Sequence, residues 1–372
     1  MSISSDLQSH TYRLRLKTRT HVGGGPQARP SIIDLKVWRA RTGNGEDKLA
    51  IPSSTIKGVM RTRFENEVRR KTFEAIKKSY GSLEDFLYCF LKQFTANVMN
   101  YSIDSLKEDL KKVIPKNNRL YSGYYGLGTE LPSFLDLHDE ELSALVSVSV
   151  YDFFPIICDP TSQLSCLSDK DLLGISENEM TMFTLLLQIA LAKKLPFSSE
   201  TCTSCEIFGA NGLISAIKVS DFIAITNIPV IPVQARISVD RLMRAVSQAK
   251  LFSAEYIPED IEFKGRIELM RRVPYLSQLD SILDNLANLI QRVGRWESLG
   301  FGEVEVLDVM NRDDRFIIHV IRSYIDYYKQ NFENSVKKVN FILEGENRDK
   351  IINAMNLGKS IIEKIEEGLG RS

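Results

Sequence analysis

The clearest chemical feature of the sequence is a predicted helix start that carries both hydroxyl groups and cations. Apolar residues recur at helical spacing from Ile56 onward, and the preceding Pro-Ser-Ser turn predicts a helix entry with Ser53 or Ser54 as the N-cap. Lys57 and Arg61 lie on the first turns of this helix. Because free N–H groups at a helix N-terminus attract anions, and nearby cations strengthen that attraction, the segment predicts a phosphate-binding site.

A glycine triplet and a lone acidic residue lie shortly before this helix. Gly23, Gly24 and Gly25 have no Cβ atom, so their backbone can turn sharply and lie close to a ligand. Asp34 follows between apolar residues, within a possible strand at 32–40. Together with the helix start, the triplet marks a place where the backbone of a polyanion could be held.

Charge is distributed unevenly, although the whole chain is neutral. The sequence has 48 Lys and Arg against 48 Asp and Glu, yet residues 1–71 contain 15 Lys and Arg against 6 Asp and Glu. A positive block of this kind is the electrostatic footprint expected of a protein that binds a polyanion. Chance clustering on a solvated surface is the alternative.

Bulk composition narrows the class of protein. At 372 residues, with 43% hydrophobic and 26% charged residues, the chain can bury one large or two medium cores. It has no apolar run of about 18 residues, which a transmembrane helix needs, and its first ten residues lack the basic and apolar regions of a signal peptide. Five cysteines in such a chain favour reduced thiols over a disulfide framework. We therefore expect a cytoplasmic protein that does not bind membranes.

Residues 11–20 alternate between basic and less polar side chains, which is the period of a strand. Arg13, Arg15, Lys17 and Arg19 would share one face of it. One interpretation is an open sheet face over which RNA could pass. The other is a solvated edge strand whose charges prevent pairing with other chains. The alternation alone fits both.

The order of the predicted elements indicates the fold class. The elements are a strand at 11–20, a helix at 53–70, strands near 213–225 and 261–270, a helix at 275–291 and a strand at 301–309. This β-α-β-β-α-β order predicts an α+β fold with a ferredoxin-like or RRM-like core, and RRM-like sheets bind single-stranded RNA on their open face. We expect one domain at 1–310, interrupted by a mostly helical insertion at 82–200, and a helical extension at 311–372.

Four segments share their residues and their order with one protein family. They are His21-Val22-Gly23-Gly24-Gly25 with Asp34 and Ile51-Pro52-Ser53-Ser54-Thr55-Ile56-Lys57-Gly58-Val59-Met60-Arg61; Cys202-Thr203-Ser204-Cys205-Glu206-Ile207-Phe208-Gly209; Arg236-Ile237-Ser238-Val239-Asp240-Arg241; and the glycine-rich loop Val293-Gly294-Arg295-Trp296-Glu297-Ser298-Leu299-Gly300-Phe301-Gly302. In this order they resemble the RAMP superfamily, and within it the backbone subunits of type III CRISPR interference complexes of the Csm and Cmr types. Ser53 stands where the family usually has glycine, a departure confined to a turn.

The resemblance implies that the chain binds guide RNA (crRNA), meets target RNA, and stacks on copies or relatives of itself among other Cas subunits. The residues implied in RNA binding are His21, Gly23, Gly24, Gly25, Ser53, Ser54, Lys57, Arg61, Arg236, Arg241, Arg295, Gly300 and Gly302. Related subunits project the segment that contains Arg236 and Arg241 across the RNA as a β-hairpin "thumb". The alternative is that these two arginines form surface salt bridges with Asp240 and Glu255.

The resemblance also makes Asp34 the candidate catalytic residue, because related complexes cut target RNA with an Asp in the loop after His-x-Gly. Such cleavage uses the RNA 2′-OH as nucleophile and typically needs a divalent metal, Mg or Mn. A carboxylate near the scissile phosphate could position the 2′-OH or hold that metal. Two alternatives stay open: a non-catalytic paralogue that only binds RNA, and a stand-alone crRNA-processing endonuclease.

Cys202 and Cys205, with two residues between them, form half of a possible structural zinc site. The candidates for the other half are Cys89, His138, Cys158 and Cys166. The competing interpretations are a small buried apolar pair, or a family motif that has lost its metal.

Overall fold

The structure is a computed structural model that describes residues 8–23, 33–41, 43–94, 156–157, 202–210, 213–226, 230–239, 246–276, 282–342 and 345–370. These residues belong to two compact units. The first comprises Met1–Phe64, Ala216–Val273 and Ser277–Asp314, and the second comprises Glu65–Ser215, Pro274–Leu276 and Arg315–Ser372. Most of the predicted insertion at 82–200 lies outside the described residues. Within the described ranges, no helix combines the length and the apolar character needed to cross a membrane.

An antiparallel sheet forms the centre of the first unit. The strands of this unit are β1 (Ser9–Leu16), β2 (Arg39–Arg41), β3 (Asp47–Ile51), β4 (Ile217–Val219), β5 (Phe222–Ala224), β6 (Val233–Val239), β7 (Val246–Glu255), β8 (Glu262–Leu269) and β9 (Val304–Val306). The order in the main sheet is β2-β3-β5-β8-β1-β9, with β4 also paired to β8, while β6 and β7 form a separate hairpin. The run β5-β8-β1-β9 places the first core strand between the third and the fourth, which is the ferredoxin-like order. The predicted α+β fold is confirmed.

Strand β1 is an interior strand of the sheet, because it pairs with β8 on one side and β9 on the other. Tyr12, Leu14 and Leu16 are fully buried on one face and form a continuous apolar stripe. Its ladder ends at Leu16, earlier than predicted, because Thr20 and His21 bridge instead to the 257 and 295 regions.

A glycine permits the close packing of the neighbouring strands. A Cβ atom on Gly265 of β8 would lie 2.3 Å from the ring of Phe222 in β5. Only glycine therefore leaves room for this buried ring, which packs across β8.

The described helices are α1 (Ser53–Tyr80), α2 (Leu83–Phe94), α3 (Thr203–Phe208), α4 (Ile282–Ala287), α5 (Phe316–Ile342) and α6 (Gly345–Leu369). Ile56, Met60, Phe64 and Val68 are fully buried at i, i+4 spacing along α1, as the periodicity predicted. The predicted long helix at 275–291 is represented by the shorter α4 after a 3-10 turn at Pro274–Leu276, with 277–281 outside the described residues.

The second unit contains the predicted helical C-terminal region. There α5 packs on α6, and α6 packs on the end of α1: the Ser79 hydroxyl donates to the Lys364 carbonyl at 2.6 Å. A Cβ on Gly368 would lie 2.0 Å from the Ala75 carbonyl oxygen, so the two helices meet backbone to backbone. This contact fixes the C-terminal region to α1.

Candidate nucleic-acid interface

A buried histidine joins three segments of the first unit. His21 has no exposed surface, and its Nδ1–H donates to the Glu255 carbonyl oxygen at 2.8 Å. The His21 carbonyl in turn accepts the Arg295 N–H at 2.9 Å. The centres of the His21 and Trp296 rings lie 4.7 Å apart. His21, predicted to bind RNA, is thus placed behind the glycine-rich loop, where it can act only through the segments it holds.

The glycine-rich loop at 293–302 depends on close backbone contacts. Gly294 has φ +92°, and a Cβ there would lie 2.4 Å from the His21 carbonyl oxygen. Gly302 has φ +83°, and its Cβ would lie 2.3 Å from the Val293 carbonyl oxygen. Gly300 also has positive φ, at +79°, but faces open space. The sequence analysis placed Gly294 in the loop but implied only Gly300 and Gly302 in RNA binding, because the need for glycine at 294 comes from a segment more than 270 positions away.

Aromatic rings support this loop from one side. The Arg19 guanidinium lies 4.5 Å from the centre of the Phe301 ring, which meets the Trp296 ring edge-on at 5.6 Å. Trp296 has left-handed backbone angles, φ 66° and ψ 33°, which are unfavourable for a bulky residue. The ring contacts with His21 and Phe301 offset that strain and set the shape of the loop.

Four cations surround the loop, and we call Lys17, Arg19, Arg292 and Arg295 the loop cations. Arg295 lies within the loop, and Gly302 N–H donates to the Arg19 carbonyl at 3.1 Å. Lys17 and Arg292 both contact Glu303, directly after the loop: Lys17 N–H donates to the Glu303 carbonyl at 2.8 Å, and Arg292 bridges to Glu303. Among the residues that the structure describes, none of the four forms an ion pair. Three of them are exposed, and Arg292 is half-buried with its Nη1 donating to the Glu297 carbonyl at 3.1 Å. The result is a positive surface beside the glycine-rich loop.

The open face of the sheet is different. Arg13 makes two 3.0 Å bonds to the Asp308 carboxylate, Arg15 pairs with Glu305 at 3.3 Å, and β8 supplies further pairs such as Arg266 with Glu268 at 3.1 Å. Within β1, each arginine of the predicted basic face therefore lies beside a carboxylate of β9 or of the residues just after it. The predicted alternation itself is correct.

A carboxylate also occupies the start of α1. Asp221 Oδ1 accepts the Ser53 N–H at 2.7 Å, and the Pro52 carbonyl accepts the Ile56 N–H at 3.2 Å. Pro52 is thus the N-cap, so the prediction of Ser53 or Ser54 was wrong. The capping side chain comes from the segment between β4 and β5, 168 positions away, so local spacing could not reveal it.

Lys57 and Arg61 follow on the first turns of α1, both half-buried. Burial, and then the like charge of Arg61, lower the pKa of Lys57. An anion bound beside the two residues would relieve that repulsion. The helix start thus offers two adjacent cations, with its first N–H already taken by Asp221.

Asp34 is exposed and fixed by one residue of β7. Its Oδ2 accepts the Ser253 N–H at 2.7 Å and the Ser253 hydroxyl at 3.0 Å, and its own N–H donates to Ser253 Oγ at 3.1 Å. The backbone bond and then the hydroxyl bond hold the pKa of Asp34 below its usual range. Asp34 is therefore an ionised acceptor at neutral pH, in one orientation.

Asp34 itself would offer one carboxylate to a divalent metal. The described residues contain no group of three His, Cys, Asp or Glu side chains that could hold an ion. One carboxylate fits a largely hydrated Mg²⁺ or Mn²⁺, since Mg²⁺ commonly keeps several waters and takes one or two carboxylates.

The predicted thumb segment forms a hairpin of β6 and β7, with Arg236 opposite Phe252. The side chain of Arg236 and the whole of Arg241 lie outside the described residues. Glu255, offered as a possible partner of these arginines, pairs with Arg39 at 3.3 Å among the described residues. Gly23 bridges to Val37, while Gly24 and Gly25 also fall outside the description.

In the second unit, Cys202 and Cys205 are buried at the start of α3. Cys202 is its N-cap, and its Sγ accepts the Cys205 N–H at 3.4 Å. In the described ranges no third metal-binding side chain joins them, and Cys89 is exposed on α2. The pair would supply half of a zinc site, and the other predicted ligands His138, Cys158 and Cys166 lie outside the described residues.

Comparisons with known proteins bear on the family. No curated protein matches the chain. A chain of a solved structure described as a "Type IV-B CRISPR Complex" aligns with 82% of this chain and 93% of its own length, at 12% identity and a TM-score of 0.34. The sequence model of the RAMP superfamily matches residues 13–305, a range that begins within β1 and ends within β9. The chain belongs to the RAMP superfamily.

Proposed function

We propose that the chain is a guide-RNA-binding backbone subunit of a CRISPR effector complex of the type III kind. The observation that carries this is the set of loop cations around the glycine-rich loop of a RAMP protein. Guanidinium groups bind phosphate through charge-assisted, bidentate bonds, and Arg19 is already oriented by its contact with Phe301. Binding would use the phosphate backbone and so tolerate many guide sequences.

Crosslinking within the assembled complex tests this. Guide RNA that carries photoreactive nucleotides should crosslink to peptides spanning 17–21 and 292–302, and much less to β8. Crosslinks confined to β8 and the sheet face, or none to the chain at all, would contradict guide binding by the loop. A purified protein that cuts repeat RNA without partners would instead favour the crRNA-processing alternative.

The second part of the proposal is that Asp34 takes part in cutting target RNA. An ionised, fixed and exposed carboxylate can accept a hydrogen bond from a 2′-OH and hold it in line with the adjacent phosphate. A bound Mg²⁺ or Mn²⁺ would supply charge stabilisation at that phosphate. The low pKa makes Asp34 a weak base, so its contribution is orientation more than proton removal.

Asp34→Asn separates cutting from binding. The amide keeps the size and one acceptor oxygen but loses the charge, so we expect cutting to fall by roughly 100-fold or more while guide affinity stays within about twofold. Unchanged cutting would assign the chain to the non-catalytic, RNA-binding alternative.

A further inference from the structure

One strand end contacts both the candidate catalytic residue and the frame of the glycine-rich loop. At one position of β7, Ser253 makes three hydrogen bonds to Asp34 that involve its N–H and its hydroxyl. The hydroxyl both accepts from the Asp34 backbone and donates to its carboxylate. This arrangement fixes the side chain as well as the backbone of Asp34.

Two positions further along β7, Glu255 fixes the segment that follows Asp34. Its N–H donates to the Leu35 carbonyl at 2.9 Å. Glu255 is only 5% exposed. Its carboxylate accepts the Val37 N–H at 2.9 Å and pairs with Arg39 at 3.3 Å. A buried carboxylate with these partners costs free energy unless all of them are kept, so the segment is held firmly.

The same residue reaches the glycine-rich loop through one intermediate. The Glu255 carbonyl accepts His21 Nδ1–H at 2.8 Å, and the His21 carbonyl accepts the Arg295 N–H at 2.9 Å. Residues i and i+2 of a strand are separated by about 6.7 Å and point to the same face. The end of β7 therefore sets the distance between Asp34, which Ser253 holds, and the glycine-rich loop, which Glu255 reaches through His21.

We propose that Ser253 and Glu255 are positioning residues that set the place of Asp34 relative to the loop cations, and so decide which phosphodiester of a target strand is cut. This rests on the proposed function. If the guide is held by the loop, its paired target has a fixed register, and the bond that meets Asp34 depends on this distance alone. Neither residue needs to touch RNA for the effect.

The test uses the assembled complex with a guide and a matching target labelled at its end, so that each cut is mapped to one nucleotide. Ser253→Ala removes the hydroxyl that orients Asp34, and Ser253→Thr retains it. Ser247→Ala makes the same change elsewhere on β7 and serves as the control. Glu255→Gln keeps an acceptor for Val37 but removes the charge that pairs with Arg39.

We expect Ser253→Ala to bind guide normally, to cut about 10- to 100-fold more slowly, and to spread its cuts over neighbouring phosphodiesters. Ser253→Thr should restore a single cut position, and Ser247→Ala should match the unmodified protein. Glu255→Gln should broaden the cut position in the same way. Cutting by Ser253→Ala at the original rate and position would overturn the inference.

Asp34→Asn, measured in parallel, separates the positioning role of Ser253 from the nuclease role proposed for Asp34. If Asp34→Asn abolishes cutting while Ser253→Ala cuts normally, the positioning role fails and the nuclease proposal stands. If Asp34→Asn cuts normally, both fail. A measurement independent of cutting is the NMR titration of the Asp34 carboxyl carbon in the full chain. The pKa of Asp34 should rise toward its ordinary value in Ser253→Ala. An unchanged pKa would refute the hydroxyl contact on which the positioning role depends.

Discussion

Two halves of one basic run acquire opposite electrostatic roles. Arg13 and Arg15 lie in β1, where the adjacent strand β9 and the residues beyond it supply Glu305 and Asp308 as partners. Lys17 and Arg19 follow only two residues later, beyond the end of the ladder, and form no ion pair with the described residues. The difference follows from position, because Arg13 and Arg15 lie beside β9 and the residues directly after it, whereas Lys17 and Arg19 lie beyond the end of β1.

The ion pairs of the sheet face change where RNA is expected to lie on the protein. An RRM-like sheet binds RNA across its open face, yet here that face carries its own counterions. Exposed pairs of this kind contribute little to stability, about 0–1 kcal/mol each. Their main consequence is to remove positive potential from the face and leave it at the loop cations.

The largest effect on stability and RNA binding is expected from a substitution in the glycine-rich loop. Gly294→Ala places a methyl group 2.4 Å from the His21 carbonyl oxygen at a positive φ, so we expect a loss of about 2–4 kcal/mol in unfolding free energy from strain and displacement together. Guide affinity should fall with it, because the loop cations lose their placement. Denaturant titration and RNA binding measure the two.

Gly300→Ala is the matched control, since Gly300 has a similar φ of +79° with open space around it. It should lose only the backbone term, about 1 kcal/mol. Equal losses in the two variants would mean that the contact with His21 does not shape the loop.

A smaller effect is expected when the sheet face is deprived of a carboxylate. Asp308→Asn keeps an oxygen for the Arg13 N–H but removes the charge that neutralises its guanidinium. The face then loses one negative charge, although Glu262 stays 3.5 Å from the Arg13 guanidinium, and affinity for RNA should rise about two- to fivefold at low salt. Asp314→Asn removes the same charge from the exposed pair with Arg312. If both variants gained affinity equally, net charge alone would be the cause, and the comparison between faces would fail.

The smallest effect concerns pH. Hydrogen bonds from Arg13 hold the pKa of Asp308 below its usual range, which for an unperturbed Asp is about 3.9. A carboxylate with a depressed pKa keeps its charge above that value and loses it only as pH falls through the lowered pKa. The ratio of affinities of Asp308→Asn and the unmodified protein should therefore stay constant from pH 8 to pH 5. A ratio that approaches one by pH 5 would show that Asp308 becomes protonated in that range.

Local sequence patterns predicted the periodicity of β1 and α1 but not the residues that pair with them. The alternation in β1 and the apolar stripe of α1 depend on neighbours within a few positions, and both were predicted correctly. The capping of α1 by Asp221, the neutralisation of Arg13 by Asp308 and the need for glycine at position 294 depend on residues 168 to 295 positions away. Such contacts exist only after the strands have paired.

The same distinction applies to the candidate site. The motif around His21 and Asp34 could be recognised from the chain, but the burial of His21 and its bond to Glu255 could not. Arg19 and Lys17 were assigned to a strand face because the strand was expected to reach residue 20. Because β1 ends at Leu16, these two residues lie beside the glycine-rich loop instead.

The most direct test compares two double variants that each remove two arginines: Arg19→Ala with Arg295→Ala, and Arg13→Ala with Arg15→Ala. Guide-RNA affinity is measured in the assembled complex over a series of salt concentrations. We predict that the loop variant loses roughly 10-fold or more in affinity and that its log–log salt slope becomes shallower by about 1.4, the value for two lost phosphate contacts on a single strand. The sheet variant should change affinity by no more than about threefold with the slope retained. Equal losses in both, or a greater loss in the sheet variant, would contradict the assignment of guide binding to the loop cations.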